Sequence, residues 1–223
     1  MNMVAVQGSP HGMQGNTGRL LSAVVEGAEK AGADVEVFCL GDLNIAPCRA
    51  CDACHRTGEC AIGDDYQQVR DALLGADAIV FASPNYISNV TAQMKALFDR
   101  LCGPLHVNAL RGKHAAAVVT AGSTEIAAVA EYMLSYLRRL GCWTVGSVGA
   151  EARQLTEPES CAEVLEQAAA LGARLVEAAA HNEHYPDQEA EIQAAAEHMR
   201  RLVLSRRDHW PYEYEVWQAR GTS

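Results

Sequence analysis

Five short apolar runs, each followed by a helical pattern of buried and exposed positions, restrict the fold of this chain more than any other feature. Val4, Ala5 and Val6 carry the first run. The others fall at 35–40, 77–82, 115–120 and 143–148. Short apolar runs bounded by turn residues read as buried strands. Between them Leu20, Leu21, Val24 and Val25 recur at helical spacing, and 92–101, 126–140 and 159–180 repeat that pattern. Thr17 or Asn16 stands where the first of these helices should be capped. Asp64-Asp65-Tyr66-Gln67-Gln68 reads as a capping box opening another. Strands alternating with helices give a parallel sheet covered on both faces. No repeat or low-complexity linker interrupts the series, so residues 1–182 read as one α/β domain. Residues 183–223 read as a C-terminal helix (189–204) and an aromatic tail from Trp210 to Trp217. Such a tail is costly to leave in water, so it is expected to pack on its own domain or on a partner subunit, with a dimer arm the favoured form.

The 223 residues are 49% hydrophobic, ample for one core. A formal net charge of -10 argues against nucleic acid and against an anionic membrane surface as partners. No apolar stretch approaches the ~20 residues of a membrane span, and nothing near Met1 resembles a signal peptide. The expected location is cytoplasmic. There, the eight cysteines are expected as ligands, core residues or redox thiols rather than disulfides.

Between the first strand and the first helix lies Gly8-Ser9-Pro10-His11-Gly12-Met13-Gln14-Gly15-Asn16-Thr17-Gly18. Backbone N–H groups and the positive end of the helix dipole make such a corner an anion site. No Lys-Ser/Thr pair closes a Walker loop, and the glycines do not fall as G-x-G-x-x-G. The neutral donors Ser9, Asn16 and Thr17 suit a single terminal phosphate; an ordinary capped turn is the plainer alternative. The Gly-Ser-Pro opening and the Gly-Asn-Thr at the helix start resemble the NADPH-dependent FMN reductase family of flavodoxin-like proteins. That resemblance implies a three-layer flavodoxin-like fold, its five strands in the order 2-1-3-4-5, with the ligand at their carboxyl ends. It implies FMN phosphate at Ser9, His11, Asn16 and Thr17. The ring would lie against Ser83, Pro84, Asn85 and Tyr86 and against Thr120 and Gly122. No protein acid or base is needed, because the flavin supplies the chemistry. Lys95, Asp99 and Arg100 accordingly read as a solvated, locally paired helix face.

The loop at 47–61 has the spacing C-x2-C-x2-C-x5-C, formed by Cys48, Cys51, Cys54 and Cys60. Two successive x2 gaps let three thiolates wrap one face of an iron–sulfur cube, and Gly58 turns the chain so that Cys60 can join them. Zinc sites usually place a longer spacer between ligand pairs. Zinc and metal-free thiols remain alternatives. His55 could replace a cysteine, but as a loop residue it is expected to be exposed. Cys39, Cys102, Cys142 and Cys161 read as small buried hydrophobes, and His181 and His184 as surface residues. The four-cysteine loop resembles that of the iron–sulfur flavoprotein branch of the same family. This implies a 4Fe–4S cluster on Cys48, Cys51, Cys54 and Cys60, close to the flavin of its own or a neighbouring subunit. It also implies ferredoxin or NAD(P)H as donor, a small acceptor such as a quinone, oxygen or peroxide, and a homodimer or homotetramer. Two other readings stand beside it. One is a cluster-free NAD(P)H:FMN or quinone reductase; the other is a non-catalytic electron carrier or redox sensor.

Overall fold

In a computed structural model describing residues 1–221, the five apolar runs form β1 (Asn2–Gln7), β2 (Asp34–Cys39), β3 (Ala78–Pro84), β4 (His114–Ala121) and β5 (Trp143–Glu151). All neighbours pair in parallel, in the order β2-β1-β3-β4-β5. The sheet is the three-layer flavodoxin-like arrangement expected. β5 runs past the expected end at Val148, because Gly149 lets the strand pass close beneath the Ile126 side chain while pairing with Val119.

The helices are α1 (Asn16–Lys30), α2 (Ala53–Thr57), α3 (Tyr66–Gly75), α4 (Ala92–Arg100), α5 (Cys102–His106), α6 (Ile126–Arg139), α7 (Pro158–Ala180), α8 (Pro186–Ser205) and α9 (Pro211–Ala219). α1 and α7 cover one face of the sheet with Leu20, Leu21, Val24, Ala168 and Leu175. α3, α4 and α6 cover the other with Leu73, Met94, Leu97, Phe98, Met133 and Leu137. α1 and α7 approach closely where each carries a glycine. A Cβ on Gly27 would run into the Ala169 backbone, and one on Gly172 into that of Val24.

Two local expectations are corrected. The N-cap of α1 is Gly15, with extended backbone, where a Cβ would crowd the His11 side chain; Asn16 and Thr17 are already helical. The Asp64–Gln68 stretch is no capping box either. Asp65 Oδ2 accepts from the Asn44 N–H (2.7 Å) and Asp64 Oδ2 from the Ala46 N–H (2.8 Å), so these carboxylates tie down the loop leading to the cysteines.

The C-terminal segment folds back on the domain rather than projecting as an arm. Gln188 Oε1 accepts from the Thr144 N–H of β5 (2.9 Å), and Trp217 Nε1 donates to the His106 carbonyl (3.0 Å). Trp210 and Trp217 bury themselves with Val203 in a small separate core, which removes the apolar surface an arm would expose. The last two residues of the 183–223 segment lie outside the described residues. No helix among the described residues is long and apolar enough to cross a membrane.

Candidate functional site

Because every strand is parallel, the loops after β1, β3 and β4 meet at one edge of the sheet. There Ser9, His11, Asn16, Thr17, Pro84, Asn85, Tyr86, Thr120 and Gly122 line a single cleft of about 200 Å³. Ser83 is fully buried behind it, its hydroxyl accepting from the Thr91 N–H at 3.1 Å. All ten residues expected at this site are therefore brought together, nine in the wall and Ser83 behind it. The loop after β1 is organised by a residue that sequence reasoning passed over. Gln7, fully buried at the end of β1, accepts from the Ser9 N–H and donates to the Gly12 carbonyl. Thr17 and Thr120 join their hydroxyls across the cleft floor at 2.6 Å.

Three observations show that this cleft suits FMN. No side chain caps the start of α1 and its first turn holds no acidic residue, so its N–H groups face no competing side-chain anion. A Cβ on Gly18 would strike the Met13 backbone, so only glycine permits this tight loop. Asn85 holds its place through its own N–H to the Thr120 carbonyl (2.7 Å) and its Nδ2 to the Thr124 carbonyl (3.1 Å). Its Oδ1 is buried and has no partner, a vacancy that a polar ligand edge would fill. Beside it Tyr86 is 46% and Ile87 97% exposed, an apolar lip on the cleft.

The four loop thiols line a second cavity, of about 170 Å³, together with Arg100 and Cys102. Ala50 and Asp52 adopt positive φ, which folds the segment tightly enough to turn successive cysteines inward. Arg100 corrects the solvated-face reading. Lys95 and Asp99 do pair locally on the surface at 2.5 Å, but Arg100 is only 3% exposed. Its guanidinium donates to Asp64 Oδ2 (2.5 Å), the Ala46 and Ile62 carbonyls (3.2 Å each) and Cys60 Sγ (3.2 Å), and stacks over the Tyr66 ring. The Ala50 N–H donates to Cys48 Sγ at 3.4 Å. A cavity lined by four thiols, two of them accepting N–H bonds and one facing a buried cation, suits an anionic thiolate-ligated cluster. Tetrahedral zinc would draw the sulfurs to roughly 3.7 Å from one another. Among the described residues, the only three His, Cys, Asp or Glu donors gathered within 4.8 Å are His55, Cys102 and His106.

That trio corrects two further expectations. His55 is buried rather than exposed, and Cys102 is a half-buried thiol between two imidazoles rather than an inert core residue. Burial pushes the Cys102 thiol up, but hydrogen bonds with His106 and His55 outweigh it and bring it down to about 7. Burial disfavours the charge on both histidines; bonds to Cys102 and to Glu213 nevertheless raise them. Cys142 and Cys161 are buried as expected, while Cys39 is half-buried. A further cavity, about 550 Å³ and bounded by Asn108, Trp217 and Arg220, contains none of the residues expected at either site.

A doubly wound sheet with a glycine-rich loop after β1 and a cleft at its carboxyl edge is the frame of a flavodoxin-like flavoprotein oxidoreductase. The chain belongs to the NADPH-dependent FMN reductase family, which matches residues 1–155. An iron-sulfur flavoprotein of Archaeoglobus fulgidus is 31% identical over 99% of both chains. Another from Methanosarcina thermophila is 36% identical over 55% of this chain and 64% of its own. Among solved structures, the NAD(P)H:quinone oxidoreductase of Methanothermobacter marburgensis superposes with a TM-score of 0.61 at 20% identity, covering 78% of this chain and 98% of its own; it shares the fold.

Proposed function

We propose that this flavoprotein is a two-cofactor electron-transfer oxidoreductase, with FMN in the cleft and a 4Fe–4S cluster on Cys48, Cys51, Cys54 and Cys60. It takes electrons from ferredoxin or NAD(P)H and passes them to a small acceptor. The observation that carries this reading is the second cavity, where four thiols share one wall with the buried Arg100 guanidinium. The names of the whole-chain and partial relatives agree with it.

FMN exchanges one or two electrons and a 4Fe–4S cluster one, so together they join one-electron and two-electron partners. The chain's residues bind and position. The start of α1, with Ser9 and Thr17, holds the phosphate, Asn85 Oδ1 accepts from the ring or ribityl side, and Tyr86 walls the ring. Arg100 and the Ala50 N–H stabilise negative charge on the ligating sulfurs, which favours the reduced state. No side chain has to supply or remove a proton for hydride delivery.

The two sites lie towards opposite ends of α4. Thr91, its N-cap, donates to the Gly8 carbonyl beside the cleft (2.7 Å), whereas Arg100, its last residue, faces the cysteine cavity. About 13 Å of helix separates them. In the expected homodimer or homotetramer, one subunit's cavity would face another's cleft. A chain of thiol ligands also belongs in a reducing compartment, hence the cytoplasm.

The deciding experiment is purification without oxygen, followed by visible spectroscopy, iron and sulfide analysis, and light scattering. About four irons per chain beneath a broad brown shoulder support the reading. Flavin bands with no iron after reconstitution reduce the protein to a cluster-free reductase. A monomer that still equilibrates electrons rapidly between the two cofactors removes the subunit arrangement.

A further inference from the structure

Beside the cysteine cavity, two elements bring three donor atoms to one point. His55 comes from α2, and Cys102 and His106 stand one turn apart on α5. Cys102 Sγ lies 3.6 Å from His106 Nε2 and 4.0 Å from His55 Nε2. The far nitrogens of both rings are held by a single carboxylate. His55 Nδ1 meets Glu213 Oε1 at 2.5 Å, and His106 Nδ1 meets Glu213 Oε2 at 3.1 Å. Glu213 is wholly buried, and the two rings stack with centroids 4.6 Å apart.

A carboxylate at Nδ1 keeps that nitrogen's proton in place, so Nε2 is the atom of each ring that can ligate a metal by giving up its proton. Both Nε2 atoms lie within 4.0 Å of the same sulfur. Anchoring α9 requires only the Glu213 bonds and gives no reason for the opposite nitrogens to converge on a thiol. A divalent ion does. Zinc, with Zn–N of about 2.0–2.1 Å and Zn–S of about 2.3 Å, holds N and S donors roughly 3.5 Å apart in a tetrahedral site. The two N–S spacings need to close by about half an ångström at most.

We propose that His55, Cys102 and His106 form a mononuclear His2Cys site for zinc that uses none of the loop's four cysteines, although His55 lies between two of them, with Glu213 as the outer carboxylate orienting both imidazoles. Two imidazoles and one thiolate form a borderline-soft donor set, suited to zinc and poor for magnesium or calcium. Binding releases to solvent the protons carried by Cys102 Sγ and the two Nε2 atoms as one Zn–S and two Zn–N bonds form. Three protein ligands leave a fourth position. Cys102 and His55 both line the cysteine cavity, so that position lies on the cavity side. The ion ties α2 to α5 directly and, through Glu213, secures α9. This site stands whether or not the loop carries a cluster.

The test isolates the site in the full-length chain by changing Cys48, Cys51, Cys54 and Cys60 to Ser together. The chain is stripped with chelator and titrated with zinc against a chromophoric competitor. About one zinc per chain is expected, with a rise of several degrees in the thermal midpoint. Adding Cys102→Ser or His106→Ala should abolish both effects, and Glu213→Gln should weaken binding by about 10–100-fold. A folded four-serine chain that binds no zinc overturns the proposal, as does binding unchanged by Cys102→Ser and His106→Ala. Should the four-serine chain fail to fold, Cys102→Ser alone in the anaerobic holoprotein decides. Zinc falling by about one per chain with FMN and iron unchanged supports the site; unchanged zinc overturns it. Iron and sulfide in the unaltered protein report on the cluster separately, so the two readings fail independently.

Discussion

Arg100 is enclosed on every side, and a buried cation is tolerated only where its partners are well placed. Asp64 is the strongest of those partners. Burial pushes its carboxyl up, but the Arg100 hydrogen bond, with the Ala46 and Tyr66 amides, holds it below the ordinary carboxylate range. A carboxyl depressed in this way adds stability that is fully present above its unfolded pKa and is lost as pH falls through the folded one. Asp64→Asn should therefore cost about 3–5 kcal/mol at neutral pH, and the deficit should shrink in acid. Urea midpoints of both proteins at pH 7 and in strong acid check this; a pH-independent gap would show that Asp64 is not the titrating group. Cys51 stands on the exposed side of the same cavity. Cys51→Ser should lose iron while keeping FMN, measured by iron analysis and flavin absorbance. Loss of both cofactors would make the loop a folding element.

At the level of single elements, the start of α1 and the docking of α9 matter most for function. Gly18→Ala forces a Cβ into the Met13 backbone and so displaces the loop after β1. FMN affinity should fall at least tenfold, on the order of 1.4 kcal/mol or more, with the circular dichroism of the sheet and helices unchanged; flavin fluorescence titration reads it. Trp217→Ala removes one of the two tryptophans of the small core beneath α9 and the bond to the His106 carbonyl. It should lower stability by about 3–5 kcal/mol and open the chain near 206–210 to protease, while FMN binding persists. Undiminished stability and resistance would show that α9 is held by something other than its tryptophan.

For the whole molecule, the legible parts were those whose cause is local. Strands announce themselves as apolar runs, the tight loop after β1 by its glycines and hydroxyls, and the cysteine loop by spacing, because each is written in consecutive residues. The misread residues depend on distant partners. His55 looked like an exposed loop residue because its burial is made by Glu213, 158 positions away, and Cys102 looked inert because its neighbour His55 is 47 positions away. Arg100 sits in a helical pattern that fits a surface face; Asp64 and Cys60, which enclose it, come from an earlier loop. The helix layer of α1 and α7 shows the same limit. Gly27 and Gly172 set how closely α1 and α7 cross, through neighbours far away in the chain. Gly172→Ala should overpack that crossing and cost about 1–3 kcal/mol, seen as a lower thermal midpoint; an unchanged midpoint would mean the helices separate freely. The long reach from His55 to Glu213 also has a consequence in time. At roughly 5–20 residues per second of synthesis, α2 waits about 8–30 s before the helix that covers it has been made. For that interval the nascent chain presents its thiols without their final neighbour, a window during translation in which metal donors have open access.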